Sequence, residues 1–431
     1  MVRGEEGRRP HPNLRFPRSI DGHARCAADE RLQVAQRLAS SLDEATSWFE
    51  PELLRLDPQR LESTMKSNPS LAPYSYFLKN ILRRKEHTLS PDAEAVLART
   101  TILEQAPSDI YTVLTTSDLA WPEVTIDERP VRVDRAGYAV LRDSRDRSVR
   151  KLAFETFFGT FQAYEASVGR ILASEVASNL FQAESRGYAN VLAWALAGDN
   201  IPEEVYRTLV REVNAALPVL HRYFRLRARM LGIEDLRYHD MYPALVEMEE
   251  NFDLETSREL TLAALAPLGP EYIAELTRAT EQRWQHVYPS PTKRGGAFME
   301  GGAYDVHPYI LLNHNDSFDS LSTYAHEWGH AVHSILANRA QPWPTSQYST
   351  FLAEVASIGN ELFLLDHLLK QASTREERLF FLGQELELFR TTFFRQAMFA
   401  EFELAIHEEV QSGGALSGAR LTAIYGDLLT K

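Results

Sequence analysis

The segment Ser320–Ile335, SLSTYAHEWGHAVHSI, leaves few folding options. An α-helix turns by about 100° per residue, so His330 falls about 40° from His326 and His333 about 20° away on the other side. Leu321, Tyr324, Trp328, Val332 and Ile335 occupy the opposite half of the wheel. One face is apolar and must be packed, and the other converges imidazoles on one side. Asp316, Ser317, Asp319 and Ser320 offer side-chain acceptors to cap the start of this helix.

Most of the remaining chain has the same three- and four-residue apolar spacing. It is clear over 28–48 and 148–184, and in the segments SPDAEAVLART and STREERLFFLGQELELF. Asn200, followed by Pro202 and two acids, marks the start of another long helix as its N-cap. Strand patterns are few: 130–141 and the glycine-rich stretch 295–313, directly before the histidine helix. The expected fold class is mainly α, with one small β-sheet beside that helix. The charge run RDSRDRSVRK reads as a solvated helix start. A boundary is expected near 142–150, separating a helical domain (28–147) from a second domain (148–431), with 1–27 as a flexible tail.

The chain has 431 residues, 44% apolar and 25% charged, with a formal net charge of -14. That balance argues against a nucleic-acid partner, which calls for a basic field. Cys26 is the only cysteine, which excludes an internal disulfide framework and fits a reducing, cytoplasmic setting. The basic N-terminus never runs into an apolar stretch, and no segment reaches membrane-spanning length, so no membrane partner is expected.

A hydrolytic zinc site uses three protein ligands and one open position for water. His326 and His330, one helical turn apart, supply two, and Glu327 sits beside the ligand face, within reach of a metal-bound water. A third histidine further along the helix would need glycine at 333 and histidine at 336, but the chain has His333 and Leu336. Ligation by 326, 330 and 333 together would crowd three imidazoles on a short arc. A carboxylate is the remaining choice, and FLAEVASIGNEL supplies Glu354 and Glu361, seven residues apart on one helical face. Spacing does not separate these two: either ligates, and the other orients a histidine or a backbone amide.

The pair YAHEWGHAVHS and FLAEVASIGNE resembles the oligoendopeptidase F branch of the thimet-oligopeptidase-like metallopeptidases. GDNIPEEVY, RYHDMYPALV, KRGGAF, GGAYDVHPYILLNHNDSFDSLSTYAHE and TTFFRQAMFAEFELAIHE agree with it, from about residue 30 to the end. The resemblance implies one Zn2+ per chain held by His326, His330 and Glu354, with Glu327 as general base and His333 and Glu361 close behind. It implies two helical halves around a channel that admits short peptides, and hydrolysis of internal peptide bonds in them. The strand VHPYILLN (306–313) is expected at an exposed sheet edge, where a peptide backbone can pair with it. Gly302, Ala303, His307 and Tyr309 are the candidate substrate contacts, with Gly295, Gly296 and Gly301 allowing close backbone approach.

The same resemblance implies further helical chain before residue 28. Beyond residue 431 it implies a segment whose His and Tyr residues donate to the developing oxyanion. A chain without those donors is expected to hydrolyse poorly, since one such donor is worth about 10²–10³ in rate. The alternative reading is therefore a catalytically silent metal- or peptide-binding relative. Of the weaker signals, Tyr304 and Tyr348 read as packing residues, Trp284, His286 and Tyr288 as core, and Arg390 and Arg395 with Glu401 and Glu403 as a helical ion-pair face.

Overall fold

The computed structural model describes residues 22–246, 248, 251–290 and 293–431. Helices dominate it. Gly22–Thr46 packs on Pro91–Val113, which packs on Glu165–Ser185, and the last helices, Arg395–Gln411 and Gly418–Leu429, close on that same element. Val176, Ile406, Leu421 and Ile424 form the buried centre of this group. The second group gathers Leu254–Ala264, the histidine helix Phe318–Ala340, the glutamate helix Thr350–Gln371 and Arg375–Leu388.

Among the described residues five short strands form two sheets, one more than expected. β1 (Glu123–Ile126) and β2 (Arg129–Arg132) make an antiparallel hairpin. β3 (Gln285–His286), β4 (Phe298–Glu300) and β5 (Tyr309–Leu311) form the other, in the order β3-β5-β4. Ile310 and Leu312 pack it onto the apolar back of the histidine helix, against Tyr324, Trp328, Ala331, Val332 and Ile335.

Several local expectations need correction. The strand pattern at 130–141 ends with β2. Asp134 then accepts from the Gly137 amide and starts a helix, Arg135–Leu141, whose Tyr138 and Leu141 are buried with Phe157. The helical run 148–184 is two helices, Arg147–Gln162 and Glu165–Ser185, parted where Tyr164 (φ -112°, ψ 14°) leaves helical backbone. Asn200 is not a cap: it sits at φ 57°, a left-handed turn that asparagine tolerates, and Pro202 stands at the N-cap instead. The first helix begins at Gly22, inside the expected tail, and the rest of that tail lies outside the described residues.

The strand at 306–313 is not an edge. β5 is the central strand, with β3 parallel on one side and β4 antiparallel on the other, so its backbone is already used. Strand order is set by partners distant in sequence, which local alternation does not encode.

The charged segments also differ from simple surface patterns. Arg147 and Arg150 of the charge run both reach the buried Asp240. Arg390 is buried and pairs with Glu387, while Arg395 reaches Tyr242 and Glu401 takes Asn214 and Lys431. Trp284 packs on the core as expected, but Tyr288 is exposed.

Candidate metal centre

Ser317 caps the histidine helix by accepting from the Ser320 amide, and Asn315 Oδ1 accepts from the hydroxyls of both serines. Behind the histidines, Leu321, Tyr324, Ala325, Trp328, Ala331 and Val332 are fully buried, so the helix cannot roll without opening the core. Gly329 lets the glutamate helix cross close by: a Cβ there would lie 2.8 Å from Ser357 Cα and 2.9 Å from the Ala356 carbonyl. Asn360 ties the crossing by donating to the Ala325 carbonyl (3.0 Å) and accepting from Tyr272 (3.1 Å). Glu354, one turn before Ser357, is thereby carried to the two histidines.

Three ligand atoms converge. His326 Nε2 and His330 Nε2 are 3.1 Å apart, and Glu354 Oε2 lies 3.3 Å from the first and 3.5 Å from the second. Glu361 lies on the far side of His326, its Oε1 2.7 Å from Nδ1, while its Oε2 accepts from Ser322 (2.7 Å). A carboxylate there makes Nδ1 the protonated nitrogen and turns the Nε2 lone pair toward the triangle. Burial works against the charged form of His326, but the bond to Glu361 and the charges of Glu361, Glu327 and Glu354 together outweigh it and raise its pKa; His330 is lowered by burial and by His326. Ser357 donates to Glu354 Oε2 at 2.8 Å and holds its rotamer.

Glu327 stands beside the triangle. It is 5% exposed, and its Oε2 has no hydrogen-bond partner among the described residues. Burial pushes its carboxyl up to about 7, against the pull of His326.

The comparisons with known proteins decide the family. The model of peptidase family M3 matches residues 140–431, and that of oligopeptidase F matches residues 52–120. The chain belongs to peptidase family M3. It is 36% identical over 399 residues to oligopeptidase PepF of Bacillus subtilis, covering 92% of this chain and 59% of that one. Group B oligopeptidase PepB of Streptococcus agalactiae is also 36% identical, with 92% and 66% covered. The crystal structure of oligoendopeptidase-F from Enterococcus faecium superposes with a TM-score of 0.70 at 30% identity, covering 93% of this chain and 66% of that one. The chain thus spans roughly three fifths to two thirds of these relatives.

Family M3 membership implies a metal, and the donor set fits one. A tetrahedral ion with bonds of about 2.0–2.1 Å holds its ligand atoms about 3.3 Å apart. The three separations at His326, His330 and Glu354 bracket that value, and these residues are brought together as a group able to hold an ion.

The other predicted site residues take different places. His333 is stacked on Tyr348 (3.8 Å between centroids), and among the described residues it bonds to neither histidine nor to Glu354. Tyr348 meets the Ser334 hydroxyl at 2.7 Å, and Tyr304 donates to the Gln341 carbonyl. The Gly302 amide donates to Glu300 Oε1, and the Ala303 carbonyl closes a turn with the Val306 amide. His307 lies flat on Trp284 (4.4 Å) beside Tyr309, a ring cluster separate from the triangle. Sequence reasoning passed over Ser322, Ser357 and Asn360. Ser322 is one turn before His326, and Ser357 is three residues after Glu354, so helical spacing alone pointed to both.

Proposed function

We propose that the chain is a zinc-dependent endopeptidase of short peptides, with Glu327 as its general base. The observation that carries this is the triangle of His326, His330 and Glu354 beside a buried carboxyl with a free oxygen. Zinc held there would supply a Lewis acid that lowers the pKa of water toward 7 and polarises the peptide carbonyl. Glu327 takes the proton of the attacking water and delivers it to the leaving amine. A carboxyl held near neutrality by burial suits both halves of that transfer. Glu361 and Ser322 keep the His326 ring in register, and Ser357 does the same for Glu354.

The peptide is held on β4, not on the central β5. β4 is an outer strand of its sheet, beside β5 alone, and a strand in that place pairs with an antiparallel chain through main-chain groups and tolerates varied sequences. No helix among the described residues is long and apolar enough to cross a membrane. The single cysteine and acidic charge support a cytoplasmic setting.

Two substitutions test how the site is supported. Glu361→Gln leaves the triangle intact but weakens the bond to His326, and zinc affinity should fall about 10–100-fold by titration against a fluorescent chelator. Gly329→Ala drives a methyl into the Ser357 backbone, so the helices must separate. A stability loss of about 1–3 kcal/mol is expected from melting curves, together with weakened zinc binding, because Glu354 moves with its helix. Unchanged zinc affinity in Gly329→Ala would show that the crossing does not set the site.

The function itself is tested by mass spectrometry of a mixed oligopeptide library incubated with metal-stripped and zinc-restored chain. Internal cuts that appear only on zinc restoration support the reading. A chain that binds zinc and peptides but leaves them uncut belongs instead to the silent, peptide-binding class.

A further inference from the structure

The glutamate helix, Thr350–Gln371, keeps an apolar stripe in water beside its metal ligand. Phe351 and Val355 are each 67% exposed, and Leu362 is 44% exposed. Counted around the helix from Glu354 at about 100° per residue, these three fall about 60–100° to one side. Ser357 falls about 60° to the other side, where it is buried in the helix crossing and donates to Glu354 Oε2 at 2.8 Å. The Glu354 carboxylate therefore has one packed, polar flank and one open, apolar flank. The fold does not require the open flank to be apolar. Leu364 and Leu368 of the same helix anchor it in the core, with Phe252, Leu321 and Ala325.

Position gives this stripe its meaning. A peptide bond cut at the triangle of His326, His330 and Glu354 has to come close to the Glu354 carboxylate. Phe351 is three residues before Glu354, which puts their Cβ atoms about 5–6 Å apart, and Val355 directly follows it. Glu354 is itself half-exposed, so the approach to it lies on the open flank. A side chain bordering the cut therefore meets Phe351 and Val355, and their contact removes apolar surface from water on both partners.

We propose that Phe351 and Val355 form an apolar subsite that selects peptides with a large aliphatic or aromatic side chain next to the bond that is cut. The inference rests on the peptidase reading and adds two selectivity-determining residues to it. Both lie outside the ligand set, so their effect falls on which peptide is held and not on the metal.

A set of peptides that differ only at the two residues flanking one bond tests it, with zinc added and cleavage read by mass spectrometry. Wild type should cut peptides bearing Phe or Leu there with a kcat/KM at least about tenfold above those bearing Ser. In the Phe351→Gln/Val355→Gln variant that ratio should fall toward one, chiefly through KM, with zinc content and circular dichroism unchanged. Equilibrium dialysis gives a readout without turnover: the Glu327→Gln chain should retain the Phe peptides, and the two further substitutions should release them. Cleavage with no apolar preference overturns the proposal and leaves the peptidase reading standing, as does a preference that survives in the folded variant. Wild type that self-associates while the variant stays monomeric would make the stripe a contact between copies, and also overturns it. Selective retention without cleavage upholds the subsite and moves the chain to the silent class. Neither retention nor cleavage of any peptide overturns the subsite and the peptidase reading together.

Discussion

Glu327→Gln is expected to reduce peptide cleavage by at least about 10²–10⁴-fold while leaving one zinc bound per chain. Glutamine keeps the shape of the side chain but cannot accept a proton at neutral pH. The residue lies outside the His326, His330 and Glu354 triangle, so the metal has no reason to leave. Stability gives a second readout. The native carboxyl is buried with an unpartnered oxygen, and burial holds its pKa up to about 7. Replacing it by a neutral amide removes the cost of desolvating a charge, so the melting temperature of the metal-free chain should not fall. Lost activity with intact zinc and undiminished stability is what a general base predicts. Lost zinc would make Glu327 part of the metal's support, and lost stability would make it a structural residue.

Asp240→Ala is expected to be the most destabilising single change outside the metal centre. Asp240 is fully buried and accepts from Arg147, from Arg150 (2.8 Å) and from the Arg237 amide (3.0 Å). Arg150 is itself only 3% exposed, so truncating the acid strands a buried guanidinium. Breaking a buried pair from one side costs about 3–5 kcal/mol, a large share of a domain's usual 5–15 kcal/mol. The bond also joins helix Arg147–Gln162 to the turn Tyr238–Asp240. Burial alone would raise the Asp240 pKa, but the two arginine bonds and the Arg237 amide outweigh it and lower it to about 2. The folded value lies below the unfolded value of about 3.9, so this stabilisation is complete above that pH and is lost as pH falls through about 2. Urea midpoints should therefore differ most between wild type and Asp240→Ala near pH 7. The gap should narrow by about 2–3 kcal/mol toward pH 2. A pH-independent gap would mean that packing, not charge, holds this turn.

What the sequence revealed was periodic. The wheel around His326 separated a packed face from a polar one, and Leu321, Tyr324, Trp328 and Val332 are fully buried. Ser317, one of four cap candidates, is the cap used. What it concealed depends on approach between distant elements. Glu354 and Glu361 share a helical face, and only the crossing at Gly329 sends one toward both Nε2 atoms and the other to Nδ1 of His326. The central place of β5 depends on Gln285 and His286, two dozen residues upstream, which no alternation pattern announces. Arg390 looked like surface because charge usually is; its burial depends on Glu387 and the Met241 carbonyl meeting it there.

The most direct test of the metal centre is zinc content by elemental analysis after dialysis against micromolar zinc, for wild type and Glu354→Ala side by side. One zinc per wild-type chain, with a large loss in a variant that stays folded by circular dichroism, is the predicted result. Full zinc retention in Glu354→Ala would contradict the assignment of the third ligand, and no zinc in wild type would contradict the centre altogether.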